Sequence, residues 1–396
     1  MTADLFDKCA SARVQEYRMA EAIGILPYFR QMASEAGPVV QHEGRDVIML
    51  GSNNYLGLTG DERVKRAAIE AVEKYGSGCT GSRLMNGTLP LHLELEQELA
   101  DWLDYEACLV FTTGYSVNLG LVSTLVSSRD VVFVDASSHA SLIDGARLAS
   151  GSLRAFRHNS VSSLRRRLET WHAEGEGGAL VAVDGVYSME GDIAPVEAIA
   201  AACSESGARL LVDEAHSLGV IGPKGAGVAA EAGIKPDLIM GTFSKSLASC
   251  GGFVVGSRDV LDFIRIACRP FLFTAAGVPA ATAAALTALR IAREEDWRRE
   301  SVAKRLEQLR RGLRELGFEA GPDNAAAIIS VMIGDDVEAA RMWRALLDNG
   351  VFTNCALAPA VAPGAALLRT SVVATHTEQH IDDALHAFEV ARSTLA

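Results

Sequence analysis

From about residue 60 the chain alternates between two spacings of apolar residues. "ERVKRAAIEAVEKYG" (62–76) repeats them three and four apart, which predicts an amphipathic helix ending at Gly76 as a C-cap. "LHLELEQELADWLD" (91–104) predicts a second helix. Short apolar runs then recur at regular intervals: "ACLVFTTG" (107–114), "DVVFVDA" (130–136), "GALVAVDG" (178–185), "ARLLVDEA" (208–215) and "DLIMGTFS" (237–244), with helical patterns between them. None of the runs alternates apolar with polar, so each predicts a strand buried on both faces. That is the pattern of a parallel sheet covered by helices, an α/β fold. Every run ends in small or polar residues. Ligands of such sheets sit beyond the carboxyl ends of the strands, so the chemistry is expected along one edge.

The flanks differ in character. The first forty-odd residues read as a helical arm and a short loop, broken at Pro27 and Pro38. After about residue 285 a long charged helical stretch (291–317) leads into a smaller α+β unit. Its expected strands are "AAIISVMIG" (326–334), "VFTNCAL" (351–357) and "LLRTSVV" (367–373), and its last helix starts at Glu378 with Thr377 or Thr375 as cap. The expected organisation is an arm over 1–48, a large catalytic domain over 49–285 and a small domain over 286–396. The charges at 292–315 are expected to form a solvated face, Trp102 and Trp343 to pack, and Cys250 to be a small buried filler.

Composition narrows the classes. The 396 residues are 49% hydrophobic and 22% charged, an ordinary globular balance. A net charge of −13 argues against non-specific binding to nucleic acid or to anionic lipid. No apolar run is long enough to span a membrane, and the polar N-terminus is not a secretory signal. Seven scattered cysteines without a C-x-x-C pair fit reduced thiols in the cytoplasm rather than disulfides or a metal centre.

The strand ends carry the chemistry. Asp213-Glu-Ala-His216 has the letters of a nucleotide-hydrolysing box, but the chain lacks the G-x-x-x-x-G-K-[ST] loop that such chemistry needs, and "GPKGAG" and "GTFSKS" fail its spacing. A second reading joins Asp213, at the end of one buried strand, to Lys245, just past the next. A buried carboxylate there can keep a pyridine nitrogen protonated, and a lone lysine among hydroxyl residues can form a Schiff base. Together they describe a pyridoxal phosphate site. Burial lowers the lysine pKa in the direction that this role requires. "FTTGYSVNLG" (111–120) supplies a strand, a turn at Gly114 and a helix start, which is a phosphate cup of backbone amides. Thr242 and Ser244 add hydroxyl donors. His139 lies at the same sheet edge and can stack on a flat ring, and His216 can donate to a ring hydroxyl.

"SNNYLGLT" (52–59), "SHASLIDGARL" (138–148), "VDGVYSMEGD" (183–192), "LLVDEAHSLGV" (210–220) and "GTFSKSLAS" (241–249) resemble, in order and spacing, the signature segments of the α-oxoamine synthase family. The resemblance runs from about residue 20 to the C-terminus. It implies a pyridoxal-phosphate-dependent transferase of fold type I, with a large, mostly parallel seven-stranded sheet domain and a smaller C-terminal α+β domain. The reaction it implies joins an amino acid to an acyl thioester with loss of carbon dioxide. "YGSGCTGSRLMNGTLPLH" (75–92), "CRPFLFTA" (268–275) and "LLRTSVVATHT" (367–377) look most like the bacterial serine palmitoyltransferase branch. So does Ser244, where glycine-using members usually carry glycine. That branch implies serine and a long-chain acyl-CoA. The alternatives within the family are glycine or alanine, or an acyl group on a carrier protein, and, outside catalysis, a partner subunit without activity.

The resemblance also implies roles. Lys245 tethers the cofactor and moves protons, Asp213 pairs with the ring nitrogen, His216 bonds the ring hydroxyl with Ser188 near it, and His139 stacks on the ring. Gly114, Tyr115, Thr242 and Ser244 hold the phosphate. Arg369 grips the substrate carboxylate with help from Asn54, and Thr274 crosses from a second subunit to the phosphate. A homodimer with shared active sites and no metal is implied, located in the cytoplasm, with peripheral contact to the inner membrane open to an enzyme making a lipid precursor. One departure stands out: "NCALAPAVAPG" (354–364) has no basic residue where some bacterial members carry an arginine.

Overall fold

In the computed structural model, which describes residues 4–175 and 177–395, the first ordered elements are a 3-10 turn at Asp7–Ala10 and the helix Ala12–Ala22, as the arm reading expects. The rest of the expected arm is different. Val39–His42 (β1) and Arg45–Met49 (β2) form an antiparallel hairpin. Glu43 and Gly44 at its tip have φ of 49° and 77°, the two left-handed residues of a type I′ turn, whose twist matches that of a hairpin. The strands are short and only loosely alternating, so a helical arm running to residue 48 absorbs them in the sequence.

The five doubly apolar runs are strands: β3 (Ala107–Phe111), β4 (Val131–Asp135), β6 (Ala179–Asp184), β7 (Arg209–Asp213) and β8 (Leu238–Thr242). Two more join them, β5 (Ser152–Phe156) and β9 (Gly252–Gly256). The seven lie in the order β3-β9-β8-β7-β6-β4-β5, with β9 antiparallel to both neighbours and the others parallel. Helices cover both faces. Leu109, Val132, Val181, Leu211 and Val254 are fully buried, each contributing roughly 1.5–3 kcal/mol of transfer free energy. β5 is an edge strand with one neighbour, and most of its side chains are exposed, so its sequence carries no apolar run.

The charged stretch 291–317 is two helices. Pro279–Glu294 packs on Glu62–Tyr75 in the large unit, and Asp296–Glu315 sends Val302, Leu306 and Leu309 into the core of the small unit. The chain breaks between them at Glu295 (φ −100°, ψ 78°), ten residues past the expected domain boundary. Its charges are not uniformly solvated. Arg298 is buried, donating to Leu56 O at 2.7 Å and pairing with Asp61 (3.0 Å) and Glu295 (2.8 Å), which ties the two units together. Arg305 is buried as well.

The small unit holds β10 (Ile328–Gly334), β11 (Val351–Phe352), β12 (Asn354–Ala356) and β13 (Ala366–Ser371). β13 lies between β10 and β12, and β11 pairs parallel to β2. The hairpin β1–β2 therefore belongs to this unit, whose core includes Val40, Val47, Trp343 and Phe388. Trp102 is also packed away. Thr377 Oγ1 accepts the His380 amide at 3.1 Å and caps the helix Glu378–Leu395. Cys250 is exposed, not a buried filler, because the loop after Lys245 turns it outward. Among the described residues no helix is long and apolar enough to cross a membrane.

Candidate active site

The carboxyl ends of β6, β7 and β8 and the start of the helix Gly114–Leu125 enclose a cavity of about 210 Å³. Its wall contains Gly114, Tyr115, His139, Asp213, His216, Thr242, Ser244 and Lys245, eight of the residues singled out from sequence. Asn118, Ser141 and Asp184 also line it.

Register explains the clustering. Asp184 is paired with Asp213 across β6 and β7, and Asp213 with Met240 across β7 and β8, so consecutive strands deliver their carboxyl-terminal ends to one place. Asp213 is held from two sides. Asn118 Nδ2 donates to Oδ2 at 2.7 Å, and the Ala215 amide donates to Oδ1 at 2.9 Å. Burial, and after it the neighbouring Asp213, push the Asp184 carboxyl well above the usual range. Asp184 also accepts the backbone amide of His139, at 3.1 and 3.3 Å, which sets the turn that presents the His139 ring. Glu214, the neighbour of Asp213, faces away. It accepts the amides of Val228 (3.0 Å) and Ala229 (2.8 Å) and so caps a short helix, a structural task that accounts for the acidic pair without nucleotide chemistry.

Lys245 is half-buried, and burial is the main cause that brings its pKa down to about 8, with Asp213 opposing and Arg369 assisting. His216 is buried, and burial holds its imidazole well below the ordinary value, reinforced by Lys245 and Arg369. Its Nδ1 lies 2.7 Å from Tyr55 Oη.

The opposite end of the cavity is a helix start. Thr113 Oγ1 caps the Ser116 amide at 3.1 Å, while the first-turn amides of Gly114 and Tyr115 precede any intrahelical acceptor and point outward. A Cβ on Gly114 would sit 2.9 Å from Thr242, so the turn lies directly against the strand that carries the hydroxyls. Thr242 Oγ1 donates to Gly251 O at 2.9 Å and accepts the Ser244 amide at 3.2 Å.

Four expected residues lie outside this wall. Arg369, on β13, is reached through a chain of contacts. Its Nη2 donates to Asn53 Oδ1 at 3.0 Å and to Tyr55 Oη at 3.3 Å, and its Nε donates to the carbonyl of Ser188. Ser188 thus meets the site through its backbone. Asn54 does not meet it. Its amide is used up by Ala36 O (2.8 Å), Thr59 Oγ1 (2.7 Å) and the Leu58 amide (3.0 Å), so the asparagine beside Arg369 is Asn53. The two are adjacent and chemically identical, and only the turn decides which faces the arginine. Thr274 is remote, in a crevice with Arg83 and Phe271. That crevice is built by the bridge Ser82–Ala275 and the bond from the Ala276 amide to Gly81 O. Sequence reasoning missed Asn53, Tyr55, Asn118, Ser141 and Asp184. Asn53 and Tyr55 sit inside the quoted "SNNYLGLT", and Asp184 opens "DGVYSMEGD", so their signal was present but unassigned.

The profile of the aminotransferase class I and II family matches residues 45–388. The chain belongs to that family. It is 44% identical over 389 residues to a serine palmitoyltransferase of Caulobacter vibrioides, covering 97% of this chain and 95% of the relative. It is 38% identical to a putative 8-amino-7-oxononanoate synthase of Acetivibrio thermocellus, covering 91% and 93%. A high-resolution structure of serine palmitoyltransferase with PLP superposes with a TM-score of 0.96 at 40% identity, covering 99% of each chain. Within the family the chain is a pyridoxal-phosphate-dependent acyltransferase of the α-oxoamine synthase group, with the fold-type-I architecture that the motifs implied. The cavity fits that cofactor: outward amides and hydroxyls for a phosphate at one end, a doubly held carboxylate for a ring nitrogen at the other, and an amine of lowered pKa between them.

Proposed function

We propose that this protein condenses L-serine with a long-chain acyl-coenzyme A, giving an α-amino ketone, carbon dioxide and free thiol. The observation that carries the reading is Arg369. It is 5% exposed, its fork is held by a carbonyl, an amide and a phenol, and among the described residues no acid pairs with it. A buried guanidinium with only neutral neighbours is costly unless an anion completes it, and a substrate carboxylate does so bidentately.

The bound cofactor supplies an electron sink for the carbanion at the substrate α-carbon. The residues do the rest. Gly114 and Tyr115 amides with Thr242 and Ser244 hydroxyls hold the phosphate, and Asp213 keeps the ring nitrogen protonated. Tyr55 Oη, 2.7 Å from His216 Nδ1, fixes the imidazole so that Nε2 would face the ring hydroxyl. His139 covers the ring. Arg369 and Asn53, in the place first given to Asn54, would hold the substrate carboxylate and so fix the orientation of the bond to be broken. Lys245 would tether the cofactor through its amine and, when free, is placed to take the α-proton as a base. The deprotonated α-carbon bonds to the thioester carbonyl carbon as the C–S bond breaks. The thiolate leaves and is protonated, the bond to the carboxylate carbon breaks to release carbon dioxide, and a proton, which the Lys245 ammonium can return, takes its place on the α-carbon.

Thr274, remote from its own cavity, is assigned to the site of a second copy, which makes the working form a homodimer. The cytoplasm is the proposed location. A second reading, with glycine or alanine or a carrier-bound acyl group, draws support from the loop 354–364, which has no basic residue to meet an acidic donor. The test is an amino-acid panel on cofactor-loaded protein, followed by the cofactor absorbance and by carbon dioxide release. Serine is expected to perturb the spectrum at the lowest concentration, with carbon dioxide released only when acyl-CoA is added. Indifference to serine overturns the first choice.

A further inference from the structure

Residues 186–193 form a tight hairpin. Val186 bridges Ile193, the Tyr187 amide donates to Asp192 O at 3.0 Å, and the Gly191 amide donates to Tyr187 O at 2.9 Å. Its tip touches the small unit. Ser188 O accepts Arg369 Nε, and the carbonyls of Met189 and Glu190 accept Ser330 Oγ. Ser330 is the cross-strand partner of Arg369 between β10 and β13, so both contacts come from one spot on that sheet.

The base of the hairpin is fastened to the large sheet by a histidine that the reaction does not use. His158 Nδ1 is 2.9 Å from Asp135 Oδ1, at the end of β4, and Nε2 is 3.1 Å from Asp192 Oδ2, in the hairpin. Asn159 reinforces both ends, with its amide on Asp135 (2.7 Å) and its side chain on Asp192 (2.6 Å). The Tyr187 ring packs perpendicular to the imidazole, with 4.4 Å between centroids. Carboxylates accept and do not donate, so a ring with one on each nitrogen donates twice and is an imidazolium. Its charge sits between a fully buried acid and a hairpin acid that would otherwise repel each other.

We propose that His158 is a positioning residue for the substrate carboxylate: by clamping Asp192 to Asp135 it sets the height of the Ser188 carbonyl, and that carbonyl aims the Arg369 fork. The inference rests on the reading of Arg369 as the carboxylate site. Lys245 and Asp213 sit on other strand ends and owe nothing to the clamp. Loss of the clamp therefore weakens the grip on the carboxylate without releasing the cofactor.

The test is a titration of the cofactor-loaded protein with L-serine, followed by absorbance, beside a titration with 2-aminoethanol, which has serine's amine and hydroxyl but no carboxylate. His158→Gln, whose amide can reach only one of the two acids, is expected to raise the serine dissociation constant about tenfold, as a small displacement of an aligned group does. Its affinities for 2-aminoethanol and for the cofactor stay at wild-type values. Ser330→Ala cuts the strap at its other end by removing one hydroxyl, and it is expected to act in the same direction and less than additively with His158→Gln. Unchanged serine binding in both variants, or equal losses for serine and 2-aminoethanol, overturns the inference alone. A wild-type protein that ignores serine overturns the functional reading and this inference with it.

Discussion

Tyr55 Oη lies 2.7 Å from His216 Nδ1 and 3.3 Å from Arg369 Nη2, so one buried phenol joins the histidine facing the cofactor pocket to the arginine proposed for the substrate. Burial is the main cause that raises the Tyr55 pKa, and the hydroxyl keeps its proton. Tyr55→Phe removes one oxygen from a packed ring and leaves three partners, His216, Arg369 and Asn53, each short of a bond. We expect kcat/KM for serine to fall about tenfold, or ~1.4 kcal/mol, with the fold intact. Steady-state kinetics with a thermal melt check this. Wild-type kinetics in the variant would mean that the phenol only packs.

Arg369→Lys tests the carboxylate grip. A lysine keeps the charge but offers neither the planar fork nor the simultaneous bonds to Ser188, Asn53 and Tyr55. The serine dissociation constant is expected to rise by roughly 2–3 kcal/mol, about a hundredfold. Spectral titration reads it directly. Unaltered serine binding would assign the carboxylate to another group.

Lys245 makes cofactor uptake depend on pH. Only the neutral amine attacks an aldehyde, and the folded pKa of about 8 lies below the ordinary 10.5 because of burial. The rate at which cofactor-free protein takes up pyridoxal phosphate should climb about tenfold per pH unit below about 8 and level off above it. Stopped-flow absorbance from pH 6 to 10 measures this profile. A rate still climbing at pH 10 would show an amine of ordinary basicity.

These expectations rest on features of unequal legibility. β3, β4, β6, β7 and β8 were readable because strands buried on both faces must be apolar throughout. β5 was not, since an edge strand with exposed side chains carries no such mark, and β9 hides behind Gly251 and Gly252. The site was legible where chemistry is rare: a lone lysine among hydroxyls, and a carboxylate closing an apolar strand. It was illegible where a turn chooses between like neighbours, as with Asn53 and Asn54. It was also illegible where a polar residue acts through its backbone, as with Ser188, whose carbonyl accepts Arg369 Nε.

His158 gives stability a dependence on pH with a definite sign. Its hydrogen bonds to Asp135 and then Asp192 raise its pKa from 6.5 to about 10, against an opposing effect of burial. Its contribution to stability is therefore complete below about 6.5 and is lost as the pH rises through about 10. The groups facing it are these two carboxylates, Asn159 and the Tyr187 ring. Urea midpoints of wild type and His158→Gln should differ most at pH 6 and converge above pH 10. A gap that stays constant with pH would remove the charge from the account.

All of the proposed chemistry depends on the Lys245 amine carrying the cofactor. The direct measurement is borohydride reduction of the purified, cofactor-loaded protein followed by digestion and peptide mass spectrometry. A pyridoxyl group is expected on the peptide containing Lys245, and none on that peptide in Lys245→Ala. A pyridoxyl group reproducibly on a different lysine, or a visible cofactor band that reduction leaves unattached, would contradict it.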